Sequence, residues 1–162
     1  MDENDPVEKG LSDRVVLMAI QRHWLWSDKM RTQFKIYLPT LLEEFNDLGD
    51  LFPISDGWVY MSLWYGMMFS VLEALEENKV VIPSIAKDVN KIYEKLRLYR
   101  NAVFHVQKRY WPSSKIMPLI NDEETTEIVH RIHKEIEAFL IRDTQRILPS
   151  GNPAHHSKSN GL

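Results

Sequence analysis

Three residues in the second half of the chain are of types that can do chemistry: Arg100, Asn101 and His105. An imidazole takes or gives a proton near neutral pH, and a guanidinium can hold two oxygens of one anion. All three lie in the segment KIYEKLRLYRNAVFHVQKRYW, Lys91 to Trp111. Between Lys91 and Arg109, six cations (Lys91, Lys95, Arg97, Arg100, Lys108, Arg109) stand against one acid, Glu94. The segment thus has a net charge of +5 in a chain whose formal net charge is −3. A local anion site has this composition, and so does a solvated basic face paired with acidic neighbours.

A helix must position these side chains. Ile85, Val89, Ile92, Leu96, Tyr99, Val103 and Val106 recur at spacings of 4, 3, 4, 3, 4 and 3. That is the apolar stripe of an amphipathic helix, and Pro83 suits its first turn. At about 100° per residue, Asn101 and His105 stand one turn apart on one face, almost opposite the stripe. Arg100 falls at the stripe's edge, roughly 70° from its centre. The pattern therefore turns His105 outward, where solvent, a substrate or a second subunit can reach it.

The remaining segments also read as helix. Ser12 suits an N-cap, and Val15, Val16 and Ala19 open a run that reaches Trp26. Ser27 or Asp28 is a candidate cap for a second run through Phe34, Leu38, Leu41, Leu42 and Phe45, which Pro39 should kink or interrupt. Asn46 to Ser55, with Gly49 and Pro53, reads as a loop. From Asp56 to about Glu77 the hydrophobic residues surround the helix axis, which predicts a helix at the centre of a bundle or between subunits. A Pro-containing loop, Trp111 to Ile120, leads to a last helix opened by Asn121 with Glu124 three residues on, its buried stripe formed by Val129, Ile132, Ile136, Phe139 and Leu140. The expectation is an all-α bundle of four to five helices over residues 11–148, with disordered tails at 1–10 and 149–162.

Composition narrows the possible functions. The chain has 162 residues with 44% hydrophobic and 27% charged, enough for one domain with a real core. It contains no cysteine, which removes disulfides and thiolate metal sites and suits a reducing, cytoplasmic setting. The acidic start MDENDPVEKG does not resemble a secretory signal. Gly57 to Leu72 is uncharged for sixteen residues, short of the roughly 20 apolar residues a bilayer crossing needs, so no membrane partner is expected. A net charge of −3 argues against a protein that coats nucleic acid non-specifically. No Gly-rich phosphate loop, G-x-S-x-G or dinucleotide fingerprint is present.

Arg100-Asn101-x-x-x-His105, near the end of a bundle helix, resembles the signature of HEPN domains: an Arg, usually followed by a polar residue, and a His four to six positions later. The helical layout of residues 12–147 is similar in outline. The resemblance implies a HEPN-like bundle and a ribonuclease that needs no metal or other cofactor and works as a homodimer, with two copies of the motif facing one cleft. His105 would move the proton of a ribose 2′-OH or of the leaving 5′-oxygen, and Arg100 would hold the non-bridging phosphate oxygens. Asn101 would orient the histidine or bond to phosphate. Arg97, Lys108 and Arg109 would hold flanking phosphates, and Tyr110 or Trp111 would stack on a base. A toxin or defence role, with RNA as substrate and a protein antitoxin or inhibitor as partner, is the wider implication. Some HEPN toxins carry Tyr two residues after the His, but Gln107 stands there in this chain, so regulation through such a Tyr is not implied. A non-catalytic HEPN-like module that binds nucleic acid or protein is the alternative, and a purely structural bundle is the third.

Three other features could bear on function. His130 and His133, three apart, read as a pair on a helix surface in cationic surroundings. Glu73 either marks where its apolar helix emerges, the reading favoured here, or pairs with Arg100 or Arg97. The Trp residues, including Trp24, Trp26, Trp58 and Trp64, read as core or dimer interface.

Overall fold

Helix α3, Asp56–Glu77, lies between α1, Pro6–Tyr37, and α4, Ala86–Phe104, while α6, Glu123–Ile147, packs on α1 and α4. Two eight-residue helices, α2 (Leu41–Leu48) and α5 (Ser113–Ile120), complete the bundle. The computed structural model describes residues 6–48, 53–105, 108 and 113–147, and no strand occurs among them. Among the described residues, no helix is long and apolar enough to cross a membrane.

α3 is buried on several sides, as its all-round apolar surface predicts. Trp58, Met61, Trp64, Met68, Phe69 and Leu72 are all buried. Ser55 caps its start, the Oγ accepting from the Trp58 N–H at 3.3 Å. Its end is closed by two backbone bonds, Val80 N–H to the Leu75 carbonyl at 2.8 Å and Lys79 N–H to the Glu76 carbonyl at 3.0 Å. This is a Schellman closure, and it forces Lys79 into the left-handed region at φ 55°.

α1 departs from expectation. It is one continuous helix of 32 residues that starts at Pro6, inside the segment read as tail, and passes through Ser27 and Asp28 without a break. Neither residue caps a second helix. Ser27 is fully buried and its Oγ donates to the Trp64 carbonyl at 3.3 Å, while Asp28 faces α6. Partners on other helices, invisible locally, hold these polar side chains inside a helix. Pro39 does interrupt the chain: α1 ends at Tyr37, and Thr40 N–H bonds to the Tyr37 carbonyl at 3.1 Å before α2 begins. Leu38, expected on a buried stripe, is exposed.

The stripe on α4 is realised. Ile85, Ile92, Leu96 and Tyr99 are buried and Val89 and Val103 are packed against the core, whereas Val106 lies outside the described residues. Pro83–Ile85 form a 3-10 turn that leads into the helix. Within the segment read as a loop, Ser113–Ile120 instead form α5 despite Pro118, because Ile116 and Leu119 bury themselves against the bundle. Burying two such side chains is worth about 3–6 kcal/mol, enough to offset one lost backbone bond. α6 opens one residue later than the cap predicts. Asp122, not Asn121, is the N-cap, its carbonyl accepting from Thr126 N–H and its carboxylate from the Thr125 hydroxyl at 2.6 Å. Lys95 of α4 adds an ion pair at 2.8 Å, which with Thr125 holds the Asp122 carboxyl down to about 2. The charged Asp carboxylate, with a cross-helix cation beside it, outcompetes the neighbouring neutral Asn.

Two stability measurements follow. Lys79→Gly removes the left-handed penalty and should raise unfolding stability by about 1 kcal/mol in urea titrations. Leu96→Ala, at a fully buried site, should lower it by about 2–5 kcal/mol, while Ile141→Ala, on an exposed face, should change it by less than about 0.5 kcal/mol.

Candidate functional site

The end of α4 carries Arg100 and Asn101 in contact with each other, with His105 following at an irregular helix boundary. The helix stops at Phe104, two residues short of the expected Val106, and His105 takes the C-cap position with extended backbone, φ −111° and ψ 134°. His105 is exposed, as the pattern predicts, but its direction is set by that extended backbone rather than by helical stacking on Asn101. Gly66 of α3 makes room for the last residue of α4. A Cβ there would lie 1.9 Å from Cε2 of Phe104, so the Phe104 ring occupies the space that only glycine leaves open.

Arg100 is held in place and half-exposed. Its Nη1 donates to Asn101 Oδ1 at 3.1 Å, Nη2 lies 3.9 Å from Glu73 Oε2, and the guanidinium sits 5.6 Å from the Phe69 ring centroid. Glu73 therefore does more than mark where α3 emerges: it pairs loosely with Arg100. An aromatic face, a carboxylate and an amide together restrict the guanidinium to a narrow range of directions. Such restraint is what oxyanion recognition needs.

Much of the basic segment is spent inside the chain. Lys91 pairs with Glu124, Lys95 with Asp122, and Arg97 forms a two-pronged pair with Glu94, Nε to Oε2 at 2.8 Å and Nη2 to Oε1 at 2.5 Å. The paired-face reading thus holds for these three cations. The first two serve to dock α4 on the start of α6. Arg97, expected to hold a flanking phosphate, is exposed but already engaged. Lys108 is exposed. Arg109, Tyr110 and Trp111 lie outside the described residues.

A second polar group, missed in the sequence, sits in the core. His133 is fully buried rather than on the helix surface: neutral imidazole donates from Nε2 to Asp28 Oδ1 at 3.1 Å, and Nδ1 lies 3.3 Å from Met68 Sδ. Arg31 bonds to the same Asp28 oxygen, from Nη2 at 2.8 Å and Nε at 3.2 Å. The Trp24 indole donates to the His133 carbonyl at 3.3 Å, and Trp64 meets the His133 ring edge-on at 6.2 Å. His130 is half-buried against Trp64, centroids 5.0 Å apart. The signal was present in the sequence. His133 stands four residues after Val129 and three before Ile136, on the buried stripe. Of the tryptophans, Trp24, Trp58 and Trp64 are buried, whereas Trp26 is 43% exposed and does not belong to the core. Among the described residues, no group of three or more His, Asp or Glu could hold a metal ion.

Comparison of the chain with protein-family models, with curated proteins and with solved structures finds no match in any of the three.

Burial pushes the His133 pKa down to about 4, against the pull of Asp28, and burial also lowers that of His130. Because the folded state resists protonation more than the unfolded state, stability is intact above pH 6.5 and is lost as pH falls from there towards about 4. For His133 alone the loss amounts to about 3 kcal/mol. Urea titrations at a series of pH values should show this slope in the wild type, and His133→Gln should flatten it while lowering stability at neutral pH.

Proposed function

We propose that the end of α4 is the active site of a HEPN-type endoribonuclease that needs no metal and acts as a homodimer. The observation that carries this reading is the pairing of an oriented, half-exposed guanidinium, Arg100, with an exposed imidazole, His105, at the same helix end. In the proposed reaction the ribose 2′-oxygen attacks phosphorus and the bond from phosphorus to the 5′-oxygen breaks. The products are a 2′,3′-cyclic phosphate and a 5′-hydroxyl. One imidazole accepts the 2′-OH proton, and an imidazolium, from the twin chain in a composite cleft, donates to the leaving oxygen. Arg100 neutralises the non-bridging oxygens as charge builds, and Asn101, which accepts from Arg100, keeps it aimed. A toxin or defence role, with a protein antitoxin or inhibitor that covers the cleft, fits such an enzyme.

The second reading is a non-catalytic RNA- or protein-binding module on the same bundle. The internal pairing of Lys91, Lys95 and Arg97 favours its protein-binding form, since these cations are engaged with carboxylates rather than offered to phosphates.

The test is RNA cleavage in the presence of a chelator. His105→Ala should lower the rate about 10²–10⁴-fold and Arg100→Ala about 10²–10³-fold, with the protein sedimenting as a dimer. Equal cleavage by all three proteins removes the catalytic assignment. RNA binding without cleavage by the wild type selects the second reading. Glu73→Gln frees Arg100 from a competing carboxylate and should lower KM about two- to fivefold with little change in kcat.

A further inference from the structure

The outward face of α1 has an unusual composition. From Arg14 to Ile36 its exposed residues are Arg14, Val15, Met18, Arg22, Leu25, Trp26, Lys29, Thr32, Lys35 and Ile36. Four are cations, five are hydrophobic, and none is acidic. The acid in this stretch, Asp28, lies partly exposed at the edge of this face, and its carboxylate is paired with His133 and Arg31. Val15, Met18 and Ile36 are each more than 60% exposed. Trp26 is partly exposed, with the His23 ring and the Arg22 guanidinium each 5.3 Å from its ring centroid. The face runs about 33 Å along the helix at 1.5 Å per residue. In a chain of net charge −3, this strip is both the basic and the greasy side of its longest helix.

We infer that this face of α1 lies on an anionic lipid surface. A second copy of the same face is a poor occupant, because either parallel or antiparallel pairing sets Arg14, Arg22, Lys29 and Lys35 against like charges. RNA would meet the cations but leave Val15, Met18, Leu25 and Ile36 without a partner. A headgroup layer satisfies both halves: aliphatic side chains enter the acyl boundary, Trp26 takes the interfacial depth its ring prefers, and the long Arg and Lys stems lift their charges to lipid phosphates. A surface contact of this kind needs no membrane-crossing segment, and it is independent of the chemistry proposed for α4.

The full-length protein is mixed with vesicles of phosphatidylcholine alone and of phosphatidylcholine with phosphatidylserine, and the bound fraction is measured by flotation. Binding is expected on the anionic vesicles and not on the zwitterionic ones. Arg22→Gln with Lys29→Gln should weaken it about 30-fold, and Met18→Ser with Leu25→Ser about tenfold. All four positions are exposed, so circular dichroism and Tm should be unchanged and loss of binding is not loss of fold. Failure to float with anionic vesicles overturns the inference, as does equal binding to both vesicle types. Binding of single-stranded RNA that the Gln pair abolishes and the Ser pair spares, with no flotation, would assign the face to nucleic acid instead.

Discussion

A helix with no charged side must be covered over most of its surface, and α3 imposes that requirement on this chain. Its residues from Gly57 to Leu72 carry no charge, and its large rings point towards different neighbours. Trp64 reaches His130 and His133 on α6 and Phe34 on α1, Phe69 reaches Tyr93 on α4, and Trp58 and Tyr65 meet Tyr99. Desolvating that surface supplies much of the driving force for assembly, and the amphipathic helices around it supply the water-facing side. The Trp64 indole N–H, buried without a hydrogen-bond partner among the described residues, is one local cost of packing so much ring surface at the centre.

The same requirement explains the polar group in the core. Where α1 crosses α3 and α6, Ser27 and His133 are enclosed beside a partly exposed Asp28, and each finds a partner on another helix or, in part, on its own. Enclosure keeps His133 neutral and makes folding sensitive to mild acid. It also lets α1 run through a dipeptide that would otherwise begin a new helix. By pairing Asp28 with His133 and Arg31 it engages the acid at the edge of the outward face of α1, whose exposed residues from Arg14 to Ile36 are otherwise cations, hydrophobics and Thr32.

At α4 the division between scaffold and site is visible in the ion pairs. Lys91 and Lys95 bind α6, and Arg97 is held by Glu94 one turn back. Arg100 is different: it is oriented by a ring, an amide and a carboxylate 3.9 Å away, a looser pairing than those of its neighbours. Phe104, the last residue of the helix, packs closely on Gly66, and His105 departs from there with extended backbone. The proposed RNA chemistry therefore rests on two or three side chains rather than on a broad basic surface.

Period and composition alone determined the all-helical class, the central place of α3, the stripe of α4 from Ile85 to Tyr99 and the break at Pro39. These follow from local repetition of side-chain types, which a linear chain displays openly. Tertiary structure decided the rest. It kept α1 continuous through Ser27 and Asp28, folded Ser113–Ile120 into a helix against its proline, moved the α6 cap to Asp122, buried His133, exposed Trp26 and assigned most of the basic segment to internal pairs. In most of these cases the deciding partner lies far away in sequence, so the free energy of the contact exists only once the helices meet; the Arg97–Glu94 pair and the Thr125 bond to Asp122 are local additions to it.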